Sequence, residues 1–183
     1  MVENNMSNSK ININDIIFSK IIFETEDQFE NKIKAQIKNI YPHFYVFDFK
    51  IRLPSNGCFE NNVQADFVLI NEEFKDWVIV EVEFIKKSKH NWLERHVVPQ
   101  VNKLVNIDYS DNNLVSKIQS HLIGQIDNLG LTEITKLKDL IKYNQPSFLV
   151  ILNQFPSYIK MWKISLYKAS LSIIRFYKTD DLQ

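Results

Sequence analysis

The segment from Ala65 to Phe84 constrains the fold more than any other part of the chain. It reads ADFVLINEEFKDWVIVEVEF, which is two apolar runs separated by a short polar turn at residues 71–76. Short apolar runs rich in Val, Ile and Phe, bounded by turn residues, are typical of buried strands. The segment therefore predicts adjacent strands at 65–70 and 77–84, and a domain built around the sheet that contains them.

Three acids interrupt these otherwise apolar strands. Asp66 opens the first strand, and Glu81 and Glu83 share one face at the end of the second, because side chains two apart on a strand point the same way. If the strands are neighbours, the three carboxylates converge, and a proton or a cation must offset their repulsion and lost hydration. Oxygen ligands of this kind suit Mg²⁺ or Mn²⁺. The alternative is that Glu81 and Glu83 line the solvated face of an edge strand.

Further helices and strands are indicated by capping residues and apolar periodicity. Thr25 can cap a helix with Gln28 at the capping-box position, and Pro99 either kinks a later helix or opens a new one. Residues 54–62 are predicted as a loop. The predicted helices are 25–40, 90–106 and 132–143, and the remaining predicted strands are 11–23 (one strand or a hairpin), 43–53, 147–155 and one or two within 158–177.

The order of these elements predicts an α/β domain with a mixed central sheet flanked by helices and with extra C-terminal strands. A length of 183 residues suits one domain with a sizeable core. Neither an internal repeat nor a Pro-, Gly- or Ser-rich linker divides it. We therefore expect a single domain over residues 11–183 after a flexible polar segment at 1–10.

Composition excludes several classes of function. The three glycines form no phosphate-binding loop motif, and Cys58 is the sole cysteine, so a cysteine-rich zinc site is excluded. The sequence lacks a long apolar run and its first residues lack the apolar centre of a signal peptide, which predicts a cytoplasmic protein without a membrane partner. The charges balance at 22 basic and 22 acidic residues, so any contact with nucleic acid depends on a local basic patch.

The acid pattern resembles the signature of the PD-(D/E)XK nuclease superfamily, which has the restriction-endonuclease-like fold. In that signature an Asp is followed by a short strand, a turn and an apolar strand ending in Glu-x-Lys. ADFVLI followed by WVIVEVE is similar to it, with Asp66, Glu81 and Glu83 in the three positions. The predicted α-β-β-β-α-β order over roughly residues 25–155 resembles the family core. Two positions depart from the signature. Glu83 replaces the usual lysine, and Ala65 replaces a proline that is commonly variable.

The resemblance implies a metal-dependent nuclease that hydrolyses phosphodiester bonds, with DNA as the expected substrate and bacterial defence, restriction or repair as its setting. Asp66 and Glu81 would hold Mg²⁺ or Mn²⁺, and Glu83 would act as a general base or bind a second metal ion. Many nucleases of this fold cut as dimers, so a homodimer is one expected arrangement.

Other residues match positions that recur in the superfamily. Gln100 resembles a glutamine on the helix after the Glu-x-Lys strand, and Glu30 or Glu26 resembles a first-helix glutamate that faces the metal. His96 and Gln100 would share one helical face with Lys103, although a partly buried, hydrogen-bonded role is the alternative for His96. The expected phosphate-contacting residues are basic and follow the site in sequence: Lys86, Lys87, Lys89, Arg95 and Lys103.

A second class of function remains open. The same fold without catalysis could serve as a module that binds nucleic acid or another protein, and the neutral net charge and the missing lysine favour this alternative. A nuclease must bind a divalent cation through Asp66 and Glu81, whereas a module of this kind need not.

Overall fold

The computed structural model describes residues 10–14, 16–55, 58–85, 93–125, 130–154 and 169–179. Its α-helices are α1 (Glu26–Ile40), α2 (Val98–Val105), α3 (Asn112–Ile123) and α4 (Leu131–Tyr143). Its strands are β1 (Lys10–Ile13), β2 (Ile16–Lys20), β3 (Phe44–Asp48), β4 (Leu53–Ser55), β5 (Cys58–Val63), β6 (Phe67–Asn71), β7 (Trp77–Glu83), β8 (Ser147–Leu152), β9 (Ala169–Ile173) and β10 (Tyr177–Thr179).

A five-stranded mixed sheet forms the centre of the fold, in the order β3-β6-β7-β8-β9. Strands β3, β6 and β7 are antiparallel, and β8 and β9 continue the sheet in parallel with β7. The predicted α/β class with a mixed sheet is therefore confirmed. Strand β7 lies in the middle of the sheet, where its apolar residues are covered on both faces.

Helices cover both faces of this sheet. On one face α1 packs Phe29, Ile33 and Ile37 into a buried cluster with Val80 and Val82 of β7. On the other face, residues of α2, α3 and α4 join a larger cluster that includes Ile79, Val101, Ile118 and Leu137. Because side chains alternate along a strand, Glu81 and Glu83 lie on the same face of β7 as Ile79, toward α2.

Helix α1 begins where the capping residues predict. The Thr25 hydroxyl accepts a hydrogen bond from the Gln28 N–H at 3.3 Å, and the Gln28 side chain accepts one from the Glu24 N–H at 3.0 Å. The helix ends at Ile40, two residues before Pro42. The prediction of this helix is confirmed.

The predicted strand at 43–53 and loop at 54–62 are wrong in detail. Strand β3 ends at Asp48, whose N–H donates to the Gln125 side chain at 2.8 Å, and the Phe49 N–H makes a last bond to the Asp66 carbonyl at 3.1 Å. The chain then leaves the central sheet, and β4 pairs with β5 in a separate antiparallel hairpin. Leu53 and Val63, which pair across this hairpin, are both buried, so the hairpin is part of the core.

Of the two later helical predictions one needs correction and one is confirmed, and one helix was missed. In the described part of 90–106, a π-helical turn at Leu93–Val97 leads into α2, with Pro99 in the first turn of that helix. Helix α4 confirms the prediction at 132–143. Helix α3 was not predicted, although Asp111 caps it by accepting a hydrogen bond from the Leu114 N–H at 2.9 Å.

The chain termini contribute a second, three-stranded antiparallel sheet in the order β1-β2-β10. The hairpin predicted within 11–23 is confirmed as β1 and β2, and β8 confirms most of the strand predicted at 147–155. Of the region predicted as 158–177, the described part forms β9 and the start of β10. Residues 1–9 of the predicted flexible segment lie outside the described residues, and Lys10 belongs to β1. No helix among the described residues is long and apolar enough to cross a membrane.

Candidate functional site

The candidate site lies where β6 begins and β7 ends. The register that pairs Phe67 with Val80 brings Asp66 beside Glu81, and the Asp66 N–H donates to the Val80 carbonyl at 3.2 Å. The Asp66 carboxylate in turn accepts a hydrogen bond from the Val82 N–H at 2.7 Å. These two bonds fix Asp66 against β7, as the sequence predicts for neighbouring strands.

Glu81 is a buried carboxylate whose hydrogen bonding is incomplete. It is only 4% exposed, and its Oε1 atom is buried with no hydrogen-bond partner among the described residues. Burial raises the pKa of Glu81 well above 4.5, and the charges of Asp66 and Glu83 raise it further, while a hydrogen bond from Gln100 acts in the opposite direction. An unsatisfied carboxylate oxygen inside a protein is costly, so this atom is arranged to receive a proton or a cation.

Asp66 and Glu83 are perturbed in the same direction. Burial raises the pKa of Asp66 from 3.8 to about 6, and the Val82 N–H only partly offsets this effect. Burial raises the pKa of Glu83 from 4.5 to about 8, with further contributions from the charges of Glu26 and Asp66. The charge of Asp66 raises the pKa of both Glu81 and Glu83, so the three predicted carboxylates are close enough to interact electrostatically.

A fourth carboxylate near the site is neutralised by lysines. Glu30 on α1 is 5% exposed and accepts contacts from Lys34 at 2.8 Å and from Lys50 at 3.0 Å. Burial alone would raise the pKa of Glu30, but hydrogen bonds from Lys34 and Lys50 outweigh burial, and the pKa is lowered. Lys50 also places its ammonium nitrogen 3.9 Å from Asp66 Oδ1, so it links Glu30 to the carboxylate pair.

Both predicted first-helix glutamates act on the site, but differently. The Glu26 carboxylate accepts a hydrogen bond from the Phe84 N–H, and burial raises its pKa, with the charge of Glu30 adding to the shift. The charge of Glu26 has a larger effect on the pKa of Glu83 than any other charge, and Glu30 raises the pKa of Asp66. Glu26 therefore adds to the carboxylates around the end of β7, whereas the lysines compensate Glu30.

Gln100 and Tyr109 belong to segments that pack on the same face of the sheet as Glu81. The Gln100 amide donates to the Gln64 carbonyl at 3.2 Å, which ties α2 to the chain just before Asp66. Tyr109 is fully buried, and its hydroxyl donates to the Leu104 carbonyl at 3.1 Å. Burial raises the pKa of Tyr109, and the charge of Glu81 raises it further, so its hydroxyl stays protonated.

A basic cleft of about 480 Å³ adjoins the site. Four of the predicted residues line it, Arg95 and His96 from the π-helical turn and Gln100 and Lys103 from α2. The basic cleft is further lined by residues of β5, α2 and the preceding loops that were not predicted: Arg52, Asn62, Val63, Gln64 and Pro99. The predicted phosphate contacts Lys86, Lys87 and Lys89 lie outside the described residues.

The donor chemistry of the site fits a hard divalent cation, although the side chains do not form a closed cage. No group of three His, Cys, Asp or Glu side chains among the described residues is placed to hold a metal ion. Mg²⁺ seldom needs such a cage, because it commonly takes one or two carboxylates and completes its shell with water and substrate phosphate. Asp66 and the unpaired Oε1 of Glu81 supply oxygen ligands of that type.

Two cations at the site were missed by sequence reasoning. Lys50 and Arg52 belong to the stretch FDFKIRL, in which Asp48, Lys50 and Arg52 alternate with apolar residues. That alternation places the three on one side of an extended chain, and it was a usable signal. Their proximity to Asp66 and to the basic cleft depends on tertiary packing and could not be read from the sequence.

Comparisons of the chain with protein-family models, with curated proteins and with solved structures give no match.

Proposed function

We propose that the protein is a metal-dependent nuclease of the PD-(D/E)XK type that hydrolyses phosphodiester bonds in DNA. The observation that carries the proposal is the unpaired, buried Oε1 of Glu81 beside Asp66, at the junction of a strand pair with the spacing of that motif. The restriction-endonuclease-like core is part of the same proposal, and the mixed five-stranded sheet with a helix on either face supports it. Defence, restriction or repair follows by analogy only.

Asp66 and Glu81 would hold the Mg²⁺ or Mn²⁺ ion. A bound ion would polarise the scissile phosphate and lower the pKa of an attacking water. Gln100 would keep the Glu81 carboxylate in position through the hydrogen bond that it already makes, and the Val82 N–H would do the same for Asp66. Both supports lie on the protein backbone or on a packed helix, which favours a fixed geometry.

Glu83 and Lys50 would divide the role of the missing motif lysine. The pKa of Glu83, about 8, is close to neutral pH, which suits a group that takes a proton from water and releases it again. Lys50 is half exposed and lies 3.9 Å from Asp66, so its charge is available to a phosphate oxygen that approaches the site. Glu30 would orient Lys50 through its two carboxylate oxygens, each 3.0 Å from the ammonium nitrogen.

Cleavage of plasmid DNA in the presence of Mg²⁺ or Mn²⁺ tests this proposal. We expect Asp66→Asn and Glu81→Gln to lower the cleavage rate by about a thousandfold or more, because each removes a charged ligand at the reacting phosphate. Asp139→Asn, on the exposed surface of α4, is the matched control and should cleave like the wild type. Equal cleavage by all four proteins, or none by the wild type with either ion, would refute the proposal.

The second candidate is a module of the same fold that binds nucleic acid without cutting it. The observation in its favour is that no three metal-ligand side chains are grouped within the described residues, together with Glu83 at the lysine position. Stable binding of DNA by the wild type without cleavage under any divalent ion would support this candidate.

A further inference from the structure

The basic cleft contains a concentration of positive charge that the carboxylate site does not use. Arg52, Arg95 and Lys103 line it together with His96, and none of the described residues that line it is acidic. The whole chain has balanced charge, so this local excess of cations is not a consequence of composition. Such a cleft attracts an anion, and its exposed guanidinium and ammonium groups suit phosphate.

The basic cleft is joined to the carboxylate site through Gln100. This residue lines the cleft, donates to the Gln64 carbonyl at 3.2 Å and also hydrogen-bonds to Glu81. Gln64, another cleft residue, stands two positions before Asp66 in the chain. A ligand in the cleft therefore lies next to any group bound at Asp66 and Glu81.

We propose that the basic cleft binds the phosphate that neighbours the scissile one, so that the substrate is a polynucleotide held by its backbone on one side of the cut. The inference rests on the proposed function, since a phosphate can neighbour the scissile one only if a phosphodiester bond is cut at Asp66 and Glu81. Arg52 on the chain entering β4 and Lys103 on α2 would both contact the nucleic-acid backbone. Their contacts would fix position and register without reading sequence.

Binding of a fluorescein-labelled 20-base-pair DNA duplex, followed by anisotropy in EDTA over a range of salt, tests the inference without cleavage. Loss of one phosphate contact reduces the slope of log K against log salt by about 0.9, which corresponds to about fivefold weaker binding near 0.15 M salt. We expect this effect from Arg52→Ala and from Lys103→Ala. Arg52→Lys should recover most of the affinity, because it restores the charge at the same position.

Lys138→Ala is the matched control, because it removes an exposed cation from α4 outside the basic cleft. Unchanged affinity and slope in both cleft variants relative to this control would overturn the inference, as would a wild type that does not bind the duplex. Thymidine monophosphate should compete only weakly. Equal competition by the mononucleotide at matched phosphate concentration would show that the cleft reads a single phosphate, and would also overturn it.

The two failures can be told apart. DNA that binds with the expected slopes but is never cut would leave the cleft assignment standing and refute the nuclease. Cleavage by Arg52→Ala and Lys103→Ala, with DNA binding unchanged from the wild type, would refute the cleft assignment and leave the nuclease proposal standing.

Discussion

Glu30 and Glu81 are two glutamates with nearly the same burial, 5% and 4% exposed, but opposite electrostatic environments. Glu30 is neutralised by Lys34 and Lys50, and its pKa is lowered. Glu81 has an unpaired oxygen and acidic neighbours, and its pKa is raised. The comparison teaches that burial alone does not mark a functional acid. A buried acid without a compensating cation or a full set of hydrogen bonds is the better candidate. The fold tolerates at Glu81 the free-energy cost of an uncompensated carboxylate, which the two lysines remove at Glu30.

The largest expected effect concerns pH. The folded pKa of Asp66, about 6, exceeds its ordinary value of 3.8, so the folded state holds this proton more tightly. The contribution of Asp66 to stability is therefore fully present below about pH 4 and is lost as pH rises through about 6, by about 3 kcal/mol. Urea unfolding in EDTA between pH 4 and 8 should show this loss in the wild type and a smaller one in Asp66→Asn.

Asp139→Asn serves as the control for this measurement and should follow the wild-type pH curve. A difference between wild type and Asp66→Asn that stays constant from pH 4 to 8 would contradict the assignment. Glu83 should act in the same direction, over the window from about pH 4.5 to about 8.

The next effect, of nearly the same size, concerns divalent cations. A ligand that binds only the folded state raises stability by about 2.7 kcal/mol at a hundredfold excess over Kd. We expect Mg²⁺ or Mn²⁺ to raise the melting temperature at pH 8 more than at pH 5, because the carboxylates must be ionised to bind. Asp66→Asn should abolish the shift, whereas Asp139→Asn should keep it. A shift of equal size in both variants would place the ion elsewhere.

The smallest expected effect tests the comparison between the two glutamates directly, by making the same substitution of Gln for Glu at each position. Glu30→Gln leaves Lys34 and Lys50 without their shared carboxylate and should lower the free energy of unfolding at pH 8 by about 2 kcal/mol. The value is below that for a fully buried pair because Lys50 is half exposed. Glu81→Gln should be neutral or stabilising at the same pH, since it removes an uncompensated acid. Urea denaturation measures both variants. Equal losses in the free energy of unfolding would contradict the distinction between a compensated Glu30 and an uncompensated Glu81.

Sequence reasoning identified the parts of the fold that depend on local pattern. The strand pair β6–β7, helix α1 with its Thr25 cap and helix α4 follow from alternation, capping and periodicity. Helix α3 carried an equal signal, with Asp111 as its cap and a stripe of buried residues at Leu114, Val115, Ile118 and Leu122. The hairpin β4–β5 had weaker signals, because polar residues and Pro54 are more typical of a loop.

The site residues that lie on one pair of adjacent strands could be predicted from the sequence. Those that tertiary packing brings to the site could not. Asp66, Glu81 and Glu83 belong to adjacent strands, so their proximity follows from register. Lys50 reaches Asp66 because the Phe49 N–H donates to the Asp66 carbonyl, which holds the chain after β3 beside the site. The sequence holds no direct signal for a contact of that kind.

The parallel pairing of β7 with β8 has a consequence for how the site assembles during folding. Asp66 and Glu81 belong to an antiparallel hairpin, which forms by local contacts within about 1–10 μs, whereas β8 can pair only after the long connection through α2, α3 and α4 is closed. We expect the carboxylates to meet first, in water, and α2 with Gln100 to pack against this face later. Pulsed hydrogen exchange should protect β6 amides before β8 amides, and the reverse order would contradict this sequence. Repulsion between the acids would then slow an early step, so divalent cations should act on the folding rate as well as on the folded state.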